Sequence, residues 1–551
     1  MNGAKLLVKC LEENGIRYIY AIPGAKVDAI FDALVDSKIR LIICRHEQNA
    51  VFMAQAEGRL SGKPGVVLVT SGPGVSNLVT GLLTATTEGD PVIAIGGNAE
   101  RRFLHHKSHQ SAHNTEIMHS VVKFNQEVLI ADDIPAAVSN AYRHAMQTPR
   151  GSSFLSIPMD VSHELAKYNT SPVRYYQETE SIKAHVHSIE TAGKIIQHSK
   201  NPVLFLGQEA SRVENYALIN KIINDFGIPT ISTLQAAGCV SHKNKSYFIG
   251  RVGLTRNQPG DILLQDADVV ITIGFDPVEY DPEVWNLEHK RIIYINVSPA
   301  DIHSQFQPEV EVLGNIQLNL DALHKYMKNH SPKKPVISRY QALFNHAQTI
   351  NFDTKDIDGM IHPLAFVHTL AKNMTKDTII SCDIGSHGMW IDRYLMIHHP
   401  HHLLVSNGQQ TLGVGLPWAI SCRLMYPDAK IISISGDGGF LYSATELETA
   451  VRYQLPFVHI VVNSKSYDMV KTQQLLKYER PSGVELGSYD IIKFAESFGA
   501  HGYHVTSTDE LDKCLGRALT AKSKVPKLIM FDVNYRDNLE LFRHTIRSKM
   551  H

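Results

Sequence analysis

Cysteine is sparse in this 551-residue chain: Cys10, Cys44, Cys239, Cys382, Cys422 and Cys514 stand far apart, with no Cys-x-x-Cys pair. Thiols so scattered build neither a disulfide framework nor a zinc knuckle; they suit a reducing compartment and read as small core residues. Long hydrophobic runs are missing as well. No apolar stretch reaches the roughly 18 residues of a membrane span. The opening MNGAKLLVKCLEENG is an amphipathic helix carrying Glu12 and Glu13, not a secretory leader, so a cytoplasmic protein is expected. Excess charge is absent too: 54 basic and 55 acidic residues are well mixed and leave a net charge of −1. That balance excludes a nucleic-acid footprint and a membrane-surface patch, and leaves small molecules and further copies of the chain as partners. With 43% hydrophobic and 20% charged residues, the chain is globular and long enough for about three domains.

What is present is an alternation of apolar runs and helix-length segments. Runs at Tyr18–Ile22, Leu41–Cys44, Val66–Val69 and Val92–Ile95 predict strands of a parallel, doubly wound sheet. The pattern lapses into a polar connector at Val173–Ala184 and restarts with Pro202–Gly207, Thr230–Thr233, Ala267–Gly274 and Arg291–Val297, a Rossmann-like layer without Gly-x-Gly-x-x-Gly. After a Lys- and Pro-rich linker at His330–Ser338, a third parallel sheet is predicted from Thr378–Cys382, His402–Ser406, Lys430–Ser435, Pro456–Val462 and Lys527–Val533. The fold class is therefore α/β, three doubly wound parallel-sheet domains over residues 1–170, 186–330 and 355–540.

Ligands of such sheets bind at strand carboxyl ends. In the last third one strand ends in Gly436-Asp437-Gly438-Gly439, read as a glycine turn before a helix from Ser443 to Tyr453, and the next strand ends 27 positions past Asp437, at Asn463-Ser464. The glycines let backbone N–H groups approach a ligand, and Asp437 offers a hard oxygen, so the pair of strand ends suits a pyrophosphate held through a divalent cation. In the first third Glu47 follows the apolar strand LIIC, where burial would raise its pKa towards the range of a proton relay; a helix-start carboxylate favoured by the macrodipole remains open. Neither the histidines at 105, 106, 109 and 113 nor the run His398-His399-Pro400-His401-His402 is read as a zinc site; the second, interrupted by a proline, reads as a solvated loop, and the first draws interest for His109-Gln110-Ser111.

Gly-Asp-Gly followed by a polar Asn-containing strand end resembles the thiamine diphosphate fingerprint of the pyruvate decarboxylase and acetohydroxyacid synthase superfamily. Together with IPGAKVDAIFDALVDS, RHEQNAVFMAQAEGRLSGKPGVVLVTSGPGVSNL, GRVGLTRNQPGD, GFDPVEYDPEVWN, SNGQQTLGVGLPWAI and AESFGAHGY, it makes the chain similar, from Gly3 to Asn538, to the catabolic, FAD-independent acetolactate synthases. The resemblance implies a pyrimidine-binding, a central flavin-free and a diphosphate-binding domain. It also implies thiamine diphosphate and Mg2+ as cofactors with no FAD, and a homodimer with shared sites, often a tetramer. Glu47 then corresponds to the glutamate that hydrogen-bonds the aminopyrimidine and starts formation of the thiazolium ylid. Pro73 and Asn77 line the pyrimidine pocket, the Gln410 carbonyl accepts from the amino group, and Leu412 wedges between the rings, with Met469 beside them. Ser386, His387, Asp437, Gly438 and Gly439 form the diphosphate cradle, while Gly24, Ala25 and Gln110 lie near the reacting carbons. Val470 and Gln473 face the acceptor, Gln473 standing where biosynthetic members carry a tryptophan, which favours pyruvate as both donor and acceptor. The metal set is Asp437, Ser464 and the Ser466 carbonyl. Here Ser464 departs from the family's Asp or Asn, a change worth about 1 to 3 kcal/mol, or roughly 10- to 100-fold in affinity. Two alternatives accompany this implication: a decarboxylase or carboligase for another 2-keto acid, separable by product analysis, and a weakly binding, non-catalytic homologue motivated by Ser464. Whether the product feeds acetoin or branched-chain amino acids is not written in the sequence.

Overall fold

The computed structural model describes residues 1–167, 182–253, 258–330, 335–348 and 352–541. Most of the polar connector at 173–184, residues 331–334 of the second linker, and residues 254–257 of GRVGLTRNQPGD lie outside the described residues. Among the described residues eighteen strands form three parallel sheets of six. The first contains β1 (Tyr18–Ala21), β2 (Arg40–Ile43), β3 (Gly65–Val69), β4 (Val92–Asn98), β5 (Phe124–Glu127) and β6 (Ser152–Pro158). The second contains β7 (Pro202–Leu206), β8 (Thr230–Ser232), β9 (Phe248–Arg251), β10 (Val269–Ile273), β11 (Arg291–Asn296) and β12 (Val310–Leu313). The third contains β13 (Ile379–Cys382), β14 (Leu403–Leu404), β15 (Ile431–Gly436), β16 (Val458–Asn463), β17 (His501–Val505) and β18 (Lys527–Asp532).

The first and third sheets share one strand order, β2-β1-β3-β4-β6-β5 and β14-β13-β15-β16-β18-β17. In each, the order reverses direction between the first and third strands, β1 and β3 or β13 and β15. That switch point opens a crevice at their carboxyl ends. The central sheet runs β12-β11-β10-β7-β8-β9, the dinucleotide-fold order, with its own switch between β7 and β10.

The sequence pattern missed five strands, each for a physical reason. β5, β9, β12 and β17 are the outer strands of their sheets, and three of them show half-buried or exposed positions in place of an apolar run. β6 is buried throughout but reads SSFLSIP; its serines are satisfied by the Leu82 carbonyl for Ser152, the Ala141 carbonyl for Ser153 and Glu127 for Ser156. The glycine turn is also corrected. Asp437, Gly438 and Gly439 are themselves the first turn of a helix, Asp437–Ser443, and a separate helix Glu446–Arg452 follows in place of one continuous Ser443–Tyr453 segment.

Two helices fuse the outer layers. Glu47–Ser61 is buried continuously from Asn49 to Gly58, and Gly415–Met425 is buried at nearly every position, because each is covered by protein on both faces. They meet in one core that holds Tyr20 and Phe52 from the first layer with Trp418 and Phe440 from the third. No described helix is long and apolar enough to cross a membrane.

Candidate active site

The β13/β15 switch point holds a cavity of about 250 Å3. β13 runs into Asp383 and Gly385, whose φ of +154° only glycine adopts readily, and then into the helix Ser386–Tyr394. β15 runs into Asp437. Neither Gly385 nor Gly436 caps its helix with a side chain; of the first-turn N–H groups, that of His387 turns to the Tyr535 hydroxyl and those of Asp437 and Gly438 to the Asp437 carboxylate, and the remaining ones face no side-chain cap. A Cβ on Gly438 would lie 2.7 Å from the Tyr467 ring, and one on Gly439 would lie 2.5 Å from Asp383 Oδ2, so both glycines are demanded by close packing.

The wall continues in the bend after β16. Asp437 Oδ1 accepts from the backbone N–H and the hydroxyl of Ser464, each at 3.3 Å, and the Ser464 hydroxyl donates to the Ser466 carbonyl at 2.9 Å. Lys465 between them adopts φ +55°, which turns both serines to the same side. Asp437 Oδ1 and the Ser466 carbonyl stand 3.3 and 2.9 Å from the Ser464 hydroxyl oxygen, close to the edge of an octahedron with metal–oxygen distances of about 2.1 Å. Asp437 Oδ2 is buried without a partner, and burial raises its carboxyl above the usual range. Asn463 points elsewhere, donating to Asp532 Oδ1 at 2.6 Å, so it does not replace Ser464.

His387 is buried, its Nε2 has no partner, and burial lowers its pKa to about 4, leaving a neutral imidazole. The Ser386 hydroxyl donates at 2.6 Å to Asp468, which also accepts from Asn538, itself held by the Trp390 indole. Asp468 and Asn538 are site residues that sequence reasoning missed. Gln410, Leu412, Met469, Val470 and Gln473 also line the cavity, and among the described residues its lining holds no lysine or arginine. A diphosphate there would meet helix N-termini, a neutral histidine and the oxygen set of Asp437, Ser464 and Ser466. The unpartnered, buried Asp437 Oδ2 fits a divalent cation that would accompany such an anion.

The remaining residues converge on the equivalent switch point of the first sheet, between β1 and β3. Gly24 after β1 packs on Thr70 after β3, where a Cβ would lie 2.5 Å from the threonine Cβ. Gly72, at φ +60°, faces Gln110, itself at φ +57°. Pro73 opens a short helix, Pro73–Ser76, that brings Asn77 to donate at 2.9 Å to Glu47 Oε2. Glu47 is the first residue of its helix and half-buried. Ala25 lies exposed beside this group. A third unforeseen residue sets the Glu47 backbone: buried Glu446 accepts from the N–H groups of Arg45 and His46 at 2.9 and 3.1 Å and from Asn49. None of Gly24, Ala25, Glu47, Pro73, Asn77 or Gln110 lines the third-sheet cavity of the same protomer.

The described residues contain no group of three or more His, Cys, Asp or Glu placed to hold one ion, so neither histidine run is a metal cluster. The 398–402 run is nonetheless not a solvated loop. His401 is half-buried against the central domain, 3.0 Å from the Ser211 hydroxyl, and burial lowers its pKa to about 4.

Three family models match the three sheets in order: the thiamine pyrophosphate enzyme N-terminal TPP binding domain over residues 1–118, its central domain over 189–323 and its C-terminal TPP binding domain over 383–531. Two cofactor-binding layers flanking a Rossmann-like one define the class, that of the thiamine pyrophosphate enzymes. The chain is 45% identical to the acetolactate synthase of Bacillus subtilis, over 98% of this chain and 94% of that one. It is 40% identical to the catabolic acetolactate synthase of Raoultella terrigena, over 98% and 96%, and 27% identical to the acetolactate synthase isozyme 2 large subunit of Escherichia coli, over 98% and 97%. The chain belongs to the acetolactate synthases.

Proposed function

We propose that the protein condenses two pyruvates to 2-acetolactate and CO2 as a catabolic, flavin-free synthase that uses Mg2+ with thiamine diphosphate. The observation that carries the reading is the cavity at the β13/β15 switch point: helix N-termini without a side-chain cap, the Asp437, Ser464 and Ser466 oxygens, and a lining that among the described residues holds no lysine or arginine. The greater identity to the Raoultella protein, named catabolic, than to the Escherichia coli large subunit supports the catabolic assignment. Gln473 in place of a tryptophan supports pyruvate as acceptor.

Thiamine diphosphate, when bound, supplies the carbon nucleophile and the electron sink for decarboxylation. Around it the chain's residues bind, orient and shuttle protons. Asp437, Ser464 and the Ser466 carbonyl hold the cation, and the first turns after Gly385 and Gly436 receive the diphosphate oxygens. Gln410 offers its carbonyl to the pyrimidine amino group, and Leu412 and Met469 fill the space between the rings. Glu47, steadied by Asn77, exchanges a proton with the pyrimidine ring. Gln110, Gly24 and Ala25 flank the acceptor carbonyl, with Val470 and Gln473 opposite. Because the two groups line different surfaces of one protomer, a second copy brings its Glu47 face to this cavity. Exposed Leu441, Tyr442 and Val470 beside the cavity supply an apolar contact for it.

Purified protein given pyruvate tests this. Acetolactate, read as acetoin after acid decarboxylation, is expected to depend on both thiamine diphosphate and Mg2+. Turnover of another 2-keto acid but not pyruvate, or none at millimolar cofactor, would refute the assignment.

A further inference from the structure

The loop Val405–Leu412, which joins β14 to the helix Gly415–Met425, is tied down by residues that never reach the cavity. Arg59 has a side chain only 8% exposed and lies with its guanidinium 5.0 Å over the Trp418 ring. It contacts Glu88 at 2.5 Å and Asp90 at 2.6 Å and donates to the Val405 carbonyl at 2.9 Å. Glu88, whose side chain is fully buried, uses its other oxygen to accept from the Ser406 hydroxyl at 2.5 Å. The same hydroxyl accepts from the Thr411 N–H at 3.4 Å, closing the loop on itself.

Further bonds bracket Gln410. On one side the Gln409 amide donates to Thr87 at 2.9 Å; on the other the Thr411 and Thr84 hydroxyls meet at 2.8 Å. Asn407 donates to the Glu279 carbonyl of the central domain at 2.7 Å, and Gln208 of that domain donates to the Glu88 carbonyl at 2.5 Å. A Cβ on Gly408 would lie 2.8 Å from Thr87 and 3.3 Å from Glu88, so the loop reaches this seat only with glycine there. Gln410 itself sits at φ +50°, a conformation that a non-glycine residue keeps only when its surroundings impose it. The residues that impose it come from all three domains, and Glu88 joins them by bonding Arg59 of the first, Gln208 of the second and Ser406 of the third.

We propose that Glu88 is a positioning residue for the reaction: through Ser406 and Arg59 it fixes the 405–412 loop, and so the Gln410 carbonyl and the Leu412 side chain, at the cavity. This role rests on the reading of Gln410 and Leu412 given under Proposed function. Glu88 touches neither cofactor nor substrate; it acts through the loop. Its carboxylate is costly to bury, since one guanidinium serves two carboxylates, and burial pushes Glu88 up to about 7. A group serving packing alone would be replaced by an apolar side chain without loss to the cavity.

The test uses the full-length protein stripped of cofactor by chelation. Wild type, Glu88→Gln and Ser406→Ala are titrated with thiamine diphosphate in saturating Mg2+ by tryptophan fluorescence, then assayed for acetolactate formation. Loss of the Glu88 charge is expected to weaken cofactor binding about 10-fold or more, and loss of the Ser406 hydroxyl about 3- to 10-fold. kcat should fall in parallel while KM for pyruvate stays within about twofold. If Glu88→Gln fails to fold, Ser406→Ala decides alone, because it deletes one hydroxyl and leaves the ion triad intact. Variants that melt earlier yet bind cofactor and turn over like wild type overturn the role. Wild-type protein that binds no thiamine diphosphate overturns the underlying reading and this role with it; wild-type binding with unshifted variants overturns the role of Glu88 alone.

Discussion

Replacing Ser464 with aspartate places a second carboxylate on the oxygen set at the end of β16. The Ser464 hydroxyl lies 3.3 Å from Asp437 Oδ1 and is half-buried, so the longer side chain has room and its charge lands beside an existing one. Two unit charges at that spacing repel by about 5 kcal/mol at an effective dielectric of 20, a cost the metal-free protein relieves by taking up a proton. With the cation in place the sign reverses: a neutral hydroxyl becomes a carboxylate ligand, worth about 1 to 3 kcal/mol, or 10- to 100-fold in Mg2+ affinity. The expected signature has two parts. Without metal, Ser464→Asp melts below wild type; with thiamine diphosphate and Mg2+ it binds the ion 10- to 100-fold more tightly, measured by calorimetric titration at pH 8. The gain should shrink on acidification. Burial already raises Asp437, a neighbouring carboxylate raises the pair further, and a proton taken up there competes with the metal. Unchanged Mg2+ affinity at pH 8 in a folded variant would show that the Ser464 oxygen is not a ligand.

Three further changes probe separate parts of the molecule. Glu47→Gln keeps the Asn77 contact but removes the titrating carboxyl, so kcat should fall about 100- to 10,000-fold with cofactor binding largely kept; unaltered turnover refutes the proton-relay role. Gly438→Ala pushes a methyl to 2.7 Å from the Tyr467 ring, which should cost about 1 to 3 kcal/mol in denaturant unfolding and weaken cofactor binding; a neutral effect on both would mean the ring yields freely. His459→Phe replaces a buried imidazole whose two nitrogens lack partners beside Phe440, and should stabilise the protein by about 1 to 3 kcal/mol at neutral pH. Burial holds His459 at about 3 in the fold against about 6.5 unfolded. The unfolded chain therefore takes the proton first, and wild-type stability falls as the pH drops below about 6.5. The variant should lose about 1.2 kcal/mol less between pH 7 and 5.5, compared by denaturation at those two values, with the slope approaching about 1.4 kcal/mol per pH unit below them.

Much of this was legible because the signals are local. Apolar runs ending in Gly436-Asp437 or Asn463-Ser464 declare strand ends, and parallel sheets put ligands there. What the sequence hides is pairing at a distance. Asn538 looks like one polar residue near the chain end, yet it is the link between Trp390 and Asp468. Glu446 reads as an ordinary acidic helix start, and only the packing of the third layer on the first turns it towards the N–H groups of Arg45 and His46. Glu88 carries no motif, and Arg59 lies in a family stretch that gives no sign of its partners, because an ion triad is defined by what surrounds it. β6 escaped for the opposite reason: its serines look solvent-facing until the carbonyls that satisfy them are seen. The histidine run misled because composition cannot tell a solvated loop from one pressed against a neighbouring domain.

All six thiols are buried and none is in a disulfide, two in the first domain, one in the central domain and three in the third. Burial raises every one of Cys44, Cys239, Cys382, Cys422 and Cys514 above the ordinary thiol range, so none offers a thiolate to a reagent in the closed fold. The chain thus carries a silent clock in each layer. Alkylation at Cys10, Cys239, Cys382 or Cys514 counts the moments when its own layer comes open, whereas Cys44 and Cys422, in the core shared by the first and third layers, count the parting of those two, and the order of labelling under mild denaturant ranks these openings.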